Sequence, residues 1–368
     1  MPKSARLGAD GRRVIRVRRS RSLVVTWSKY GLQVTDFVSR QSFSCNSFAL
    51  DILAKLSNWT ILEDFVRELL DFSPSSVLKE VSELIAVGAV VVEGSKEAAL
   101  DVAYEMHWEW GPLAGLFHFG VRDAKYLNDY EAEIHIRKRA SIRPAPQNYL
   151  LNRNSNKIYQ FEDVDLGDPV FRAMAARRTV RAFDPKPMNA RQLGDCLFAG
   201  LGVVGFYKHH DLGTMPVKFT PSGGARNPYE AYIYVQNVSG LSPGVYHYSA
   251  VQHNLELLGG LEGLHRPGAI LSGQDWTDNS AAVVLLVANF DRTMWKYENP
   301  TAYRVVMIEA GHIAQNIQIS AAKEGLCANP TSAIQDSLAE EVLRIGSPAQ
   351  SVIYALSLGY PDEHVKPE

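Results

Sequence analysis

The chain has 368 residues, 46% hydrophobic and 21% charged, with 38 Lys and Arg against 40 Asp and Glu for a formal charge of −2. That length accommodates two domains and a sizeable core. The balanced charge excludes a general attraction to nucleic acid, and no run approaches the roughly 20 apolar residues that a membrane helix needs.

Seven of the first 21 residues are Arg, which predicts a basic arm or a strand with a cationic face. No apolar stretch follows in the manner of a secretory signal. Residues 12–27 read as one or two strands. Helical patterns follow at 48–56 and 61–70, and a third begins at Ser73-Pro74-Ser75-Ser76, with Val77, Leu78, Val81, Leu84 and Ile85 at helical spacing. A strand at 89–93 closes the unit. Three helices and a strand give the order of a winged helix, either a small interaction domain or a DNA reader. DNA reading wants cations on the third helix, which offers Lys79 against Glu80 and Glu83, so DNA binding is disfavoured.

Residues 100–150 are aromatic-rich and read as irregular, and 142–147 reads as a linker. From about 165 helices alternate with strands. Helices are predicted near 169–177 and at 190–201, and strands at 230–236, 244–248, 253–258 and 281–288. A long helix follows at 301–324, then a strand at 351–358. The division is thus a winged-helix-like unit at 1–98, a connecting region at 99–164 and an α+β domain at 165–368. Cys45, Cys196 and Cys327 show no zinc-type spacing and are too few for a disulfide framework, which fits a reducing cytoplasm. His107, His118 and His135 match no tight ligand set, so no metal is expected.

Four segments carry chemistry. In Arg177-Arg178-Thr179-Val180-Arg181, extended backbone puts Arg177, Thr179 and Arg181 on one side: a phosphate cradle, or else a solvated basic helix end. Pro221-Ser222-Gly223-Gly224-Ala225-Arg226-Asn227-Pro228 is a small cationic loop opening into a strand. Lys296-Tyr297 follows the apolar strand at 281–288. It offers two proton acceptors, or else a surface lysine beside a packed tyrosine. Glu309, His312, Gln315 and Asn316 make a polar seam on the long helix, turned to flanking structure or to a cofactor or dimer partner.

Together with the hairpin signature Gly240-Leu241-Ser242-Pro243-Gly244-Val245-Tyr246, these segments resemble the SagB-type branch of the nitroreductase-like FMN flavoproteins. That branch includes azoline dehydrogenases. The resemblance covers about 165–362 strongly and implies a homodimeric α+β fold with FMN at the subunit interface and an N-terminal part that holds peptide. It implies that Arg177, Thr179 and Arg181 hold the FMN phosphate and ribityl chain. Ser222, Gly223 and Gly224 would line the isoalloxazine, Arg226 would sit near its polar edge or the phosphate, and Lys296 and Tyr297 would act as base. The implied activity is FMN-dependent oxidation of a peptide-like substrate, such as azoline to azole, with a separate cyclodehydratase as a partner. The alternatives are an NAD(P)H-dependent nitro or quinone reductase and a binding protein with a decayed flavin site. No GxGxxG stands at a strand–helix junction, so a Rossmann nicotinamide domain is not indicated. One departure concerns 327–332, Cys-Ala-Asn-Pro-Thr-Ser, which lacks the glycine expected of a flavin-proximal loop.

Overall fold

The computed structural model describes residues 14–29, 31–146 and 159–365. Arg6, Arg12 and Arg13 of the basic arm lie outside them. The first unit runs β1 (Arg16–Arg19), β2 (Leu23–Ser28), β3 (Gly31–Asp36), β4 (Gln41–Ser44), α1 (Ser47–Lys55), β5 (Thr60–Ile61), α2 (Leu62–Glu68), α3 (Pro74–Ala86) and β6 (Val90–Val92). Helix α3 begins where Ser73 accepts the Ser76 amide with Pro74 in the first turn, and it buries Val77, Val81 and Leu84. Sheet β5-β1-β6 and the three helices enclose a core of their own, while β2-β3-β4 form a second sheet. The arginines of and beside β1 do not make a cationic face. Arg16 pairs with Glu93, Arg21 with Glu105, and the buried Arg18 with Asp101 and Glu105. Burying a guanidinium requires such partners, and the acidic side chains supply them.

Residues 100–150, read as irregular, are largely helical: α4 (Lys96–His107), α5 (Gly111–Gly120) and α6 (Asp129–Ile142). Bulky aromatics mask the helical period here. Tyr104, Trp108, Trp110 and Phe119 belong to the main core with strand and helix residues from beyond 188, so this stretch is no mere connection.

The C-terminal part contains α7 (Pro169–Ala176), β7 (Met188–Asn189), α8 (Ala190–Leu201), β8 (Val203–His209), β9 (Gly213–Lys218), β10 (Tyr229–Val235), β11 (Val238–Ser239), β12 (Gly244–Ser249) and β13 (Asn254–Gly259). It continues through α9 (Pro267–Ile270), β14 (Ala282–Asn289), α10 (Asp291–Met294), α11 (Ala302–Lys323), β15 (Cys327–Thr331), α12 (Asp336–Leu343) and β16 (Gln350–Gly359). Six strands form an antiparallel sheet in the order β13-β12-β10-β14-β16-β15. The central β14 is buried on both faces, which explains its unbroken apolar run. Val284 and Leu286 face the core shared with α8 and α11, and Val283, Leu285 and Val287 face α9 and α12. Each such side chain contributes roughly 1.5–3 kcal/mol on burial. The segment 327–331, expected as a loop, is edge strand β15. Asn329 does there what no glycine could, binding both backbone groups of Val180.

Sheet register places the site. Strands β10 and β14 run antiparallel with Tyr229 opposite Ala288, and the Asn289 amide donates to Pro228 O at 2.7 Å. The loop before β10 and the turn after β14 therefore emerge side by side at one end of the sheet.

Candidate functional site

The loop before β10 is fastened from below by α11. Glu309, 5% exposed, accepts from the Ser222 hydroxyl at 2.8 Å and from the Gly223 amide at 3.3 Å. Ser222 Oγ in turn accepts the Asn227 amide at 2.8 Å, closing the loop on itself. Burial pushes the Glu309 carboxyl up to about 7, and its bonds to Ser222 and Gly223 and the charge of Lys218 hold it from rising further. Lys218 has its own pKa lowered by burial, against the opposing pull of Glu230 and Glu309.

Gly223 and Gly224 are there for close approach. A Cβ on Gly223 would lie 2.1 Å from Val305 Cγ1 of α11. Gly224 has φ +60°, and a Cβ there would lie 2.3 Å from the Tyr297 hydroxyl and 2.9 Å from Lys296 Nζ. Lys296 and Tyr297 thus converge on this glycine, and Lys296 Nζ donates to Gly224 O at 3.2 Å. The turn carrying them starts at the fully buried Phe290, whose carbonyl accepts the amides of Thr293 and Met294. It ends with the amides of Lys296 and Tyr297 on Thr293 O. The Tyr297 carbonyl is held from a distant part of the chain: it accepts from Trp110 Nε1 at 2.7 Å.

Arg226 is engaged by the protein. Its Nε donates to Arg292 O at 2.7 Å and its guanidinium lies 4.7 Å from the centroid of the Trp295 ring. Arg292 binds Asn227 O and Glu230, and Glu230 also meets His247. This chain of contacts stiffens the loop from behind.

Arg177, Thr179 and Arg181 sit elsewhere on the framework. Val180 is buried with Phe183 and Cys327, and its backbone is bound to Asn329 of β15, while Phe183 bridges to Pro361 after β16. Arg177 and Thr179 lie on the other side of this extended segment, half-buried, and their side chains make no hydrogen bond among the described residues. A guanidinium and a hydroxyl so placed suit an anionic ligand. The structure thus brings Ser222, Gly223, Gly224, Arg226, Lys296 and Tyr297 together and anchors Arg177–Arg181 on different strands.

The polar seam of α11 divides. Glu309 and Asn316 turn to the loop, Asn316 donating to Thr220 Oγ1 at 2.9 Å, whereas His312 and Gln315 are exposed. For Glu309 the seam meets flanking structure, the loop before β10, one of the two readings the sequence offers for it. Burial of Lys218 and the reach of Trp110 had no signal in the sequence. Among the described residues no group of three or more His, Cys, Asp or Glu is arranged to hold a metal. His118 instead stacks on Trp108, its pKa pushed down to about 3 by burial. An apolar groove of about 720 Å3 runs between α5 and the start of α11, lined by Leu113, Phe117, Tyr303, Met307 and Ile308 among others.

A sequence profile of the nitroreductase family matches residues 174–360, from the end of α7 to just past β16. The chain belongs to the nitroreductase family. Its relatives include the Methanocaldococcus jannaschii protein MJ1384, named as a nitroreductase, 31% identical over 192 residues that cover 51% of this chain and 89% of that one. The trifolitoxin-processing protein TfxB of Rhizobium leguminosarum bv. trifolii is 23% identical over 337 residues, covering 87% of this chain and 89% of that protein. The match to TfxB therefore extends beyond the nitroreductase region into the N-terminal half. Among solved structures, the E. coli microcin synthetase McbBCD complex with truncated pro-MccB17 aligns with TM-score 0.44 and 16% identity over 63% of this chain and 92% of that one. As a nitroreductase-family member the protein is an α+β oxidoreductase.

Proposed function

We propose that this protein is an FMN-dependent dehydrogenase or oxidase that acts on a peptide or peptide-like substrate, with oxidation of an azoline ring to an azole as the reaction its site suits best. The observation that carries this reading is the convergence of Lys296 Nζ and the Tyr297 hydroxyl on the backbone of Gly224. The residues suit the cofactor: Arg177 and Thr179 are half-buried donors whose side chains make no hydrogen bond among the described residues, which suits a phosphate, and alternation puts Arg181 on their side of the segment. Ser222, Gly223 and Gly224 would line its ring, and Arg226 would stand at the loop's cationic end.

Lys296 as its free amine, or Tyr297 as its phenolate, takes the proton from the ring carbon, and the loop holds substrate and base at a fixed separation. FMN, when bound, supplies the hydride acceptor. Loss of one proton and one hydride converts the azoline to the aromatic azole, and oxygen or another acceptor then takes up the two electrons.

Exposed apolar side chains on α11 and the β8–β9 hairpin, including Ile308, Phe206 and Tyr207, support a homodimer. The likeness to TfxB, named for trifolitoxin processing, supports a peptide substrate, and a separate ring-forming cyclodehydratase would act before this chain. Among the described residues no helix is long and apolar enough to cross a membrane. The three free cysteines support a cytoplasmic setting. The likeness to MJ1384 favours a second reading, an NAD(P)H-dependent reductase of nitro compounds or quinones.

Anaerobic mixing tests the two readings. A synthetic peptide carrying one thiazoline ring is expected to bleach the yellow protein with formation of thiazole. Bleaching by NADPH and not by the thiazoline peptide would establish the second reading instead.

A further inference from the structure

We propose that Trp110 is a positioning residue for the Lys296–Tyr297 pair, so that the segment joining α4 and α5 is part of the reaction site. The inference rests on the assignment of Lys296 and Tyr297 made above. Trp110 is 2% exposed, and an indole N–H can only donate. Its acceptor is the Tyr297 carbonyl, 187 residues further along the chain, at 2.7 Å. The same ring meets Phe290 edge-on at 5.9 Å and Tyr303 at 6.0 Å. Trp110 therefore touches the start of the turn, its end and the first turn of α11 that follows. One side chain spans the whole element that presents Lys296.

The support behind Trp110 is itself fixed. Trp108 Nε1 donates to Gly111 O at 3.0 Å, tying the bend that places Trp110 at the N-terminus of α5. The far end of α5 is bound to α12: Asp123 accepts from the Ser337 amide at 2.8 Å, its own amide donates to Asp336, and Arg122 pairs with Glu340. Arg40 joins Asp123 to the N-terminal unit at 3.1 Å. By contrast, Lys296 is exposed, and the described contact that orients its ammonium by hydrogen bonding is the one to Gly224 O. A short turn with an exposed lysine is set by its backbone, and Trp110 holds that backbone at its last carbonyl.

The test uses the full-length, FMN-loaded protein and compares Trp110→Phe, which keeps the ring but drops the donor, with Trp110→His, which keeps a ring N–H. Phe117→Leu disturbs the same aromatic cluster, where Phe117 meets Tyr303 edge-on, without touching the bond. Two readouts are taken: amide hydrogen exchange over 293–299, and kcat and KM on the thiazoline peptide. Trp110→Phe is expected to retain FMN, to raise exchange about tenfold and to lower kcat about tenfold at unchanged KM, the scale of one buried hydrogen bond. Trp110→His recovers both and Phe117→Leu changes neither. Wild-type exchange and kcat in Trp110→Phe, or the same losses in Phe117→Leu, overturn the proposal. If Trp110→Phe does not fold, Trp110→His decides: wild-type exchange supports the bond and loosened exchange overturns it. Full turnover by Lys296→Ala would sink the functional assignment instead, and the exchange measurement separates that outcome from a failure of the Trp110 bond.

Discussion

The two halves of the candidate site are built in opposite ways. The Gly223–Gly224 loop and the Lys296–Tyr297 turn are braced from within: Glu309 holds Ser222, Arg292 O holds Arg226, Trp110 holds the Tyr297 carbonyl and Ser222 closes on the Asn227 amide. The Arg177–Arg181 segment is tied to β15 through the backbone of Val180, and the Arg177 and Thr179 side chains make no hydrogen bond among the described residues. A region whose job is to hold a base in place benefits from internal bonding, which lowers the cost of reaching the reactive geometry. A region whose job is to bind an anion keeps its donors for the ligand. Changes in the first half should therefore strike turnover, and changes in the second should strike cofactor retention.

The largest effect is expected from Lys296→Ala. Loss of a general base lowers kcat by about 10²–10⁴-fold, while bound FMN, read from its visible absorbance, stays at the wild-type level. Loss of flavin in that variant would move Lys296 to the binding half and blur the contrast.

Glu309 comes next and gives a pH signature. Its folded-state pKa of about 7 lies above the ordinary value of 4.5, so the native state holds the proton more tightly than the unfolded chain. Stability is highest below the unfolded value, falls as pH rises from there toward the folded value, and stays lowered above it. The loss is about 1–3 kcal/mol. Chemical denaturation from pH 4 to 8 should show this decline in the wild type, with Glu309→Gln lacking that part of it. An identical pH dependence in both proteins would remove Glu309 as the fastener of the loop.

Gly224→Ala forces a Cβ toward the Tyr297 hydroxyl and an alanine into a left-handed conformation. The strain is about 1–2 kcal/mol, and kcat should fall while FMN affinity changes little. Arg181→Ala is expected to have the smallest effect: FMN affinity drops about tenfold, as for one charge-assisted hydrogen bond, and kcat at saturating FMN is unchanged. Unaltered FMN affinity would count against Arg181 as a phosphate ligand.

How far the sequence reveals this arrangement depends on where the determining contacts lie. Strand β14 and helices α3, α8 and α11 are legible because their apolar periods reflect burial against the core. Helices α4 and α5 are not, since Tyr104 and Phe119 within them, and Trp108 and Trp110 between them, pack into a core shared with the C-terminal part. The β8–β9 hairpin escapes because it is largely exposed on both faces and carries no alternating pattern. Strand β15 reads as a loop because Pro330 interrupts it, a residue an edge strand tolerates. Within the site, the residue types at Lys296, Tyr297 and the glycine pair are visible in the sequence. Their convergence across 72 residues is produced by the β10–β14 register, which only the fold displays.

The central claim is that this chain is a flavoenzyme whose cofactor and reaction halves are separable, and titration of the purified protein with FMN tests it most directly. Saturation at one FMN per chain, with the same stoichiometry in Lys296→Ala and weakened binding in Arg177→Ala and Arg181→Ala, is the predicted result. A colourless protein that takes up no added FMN would contradict it.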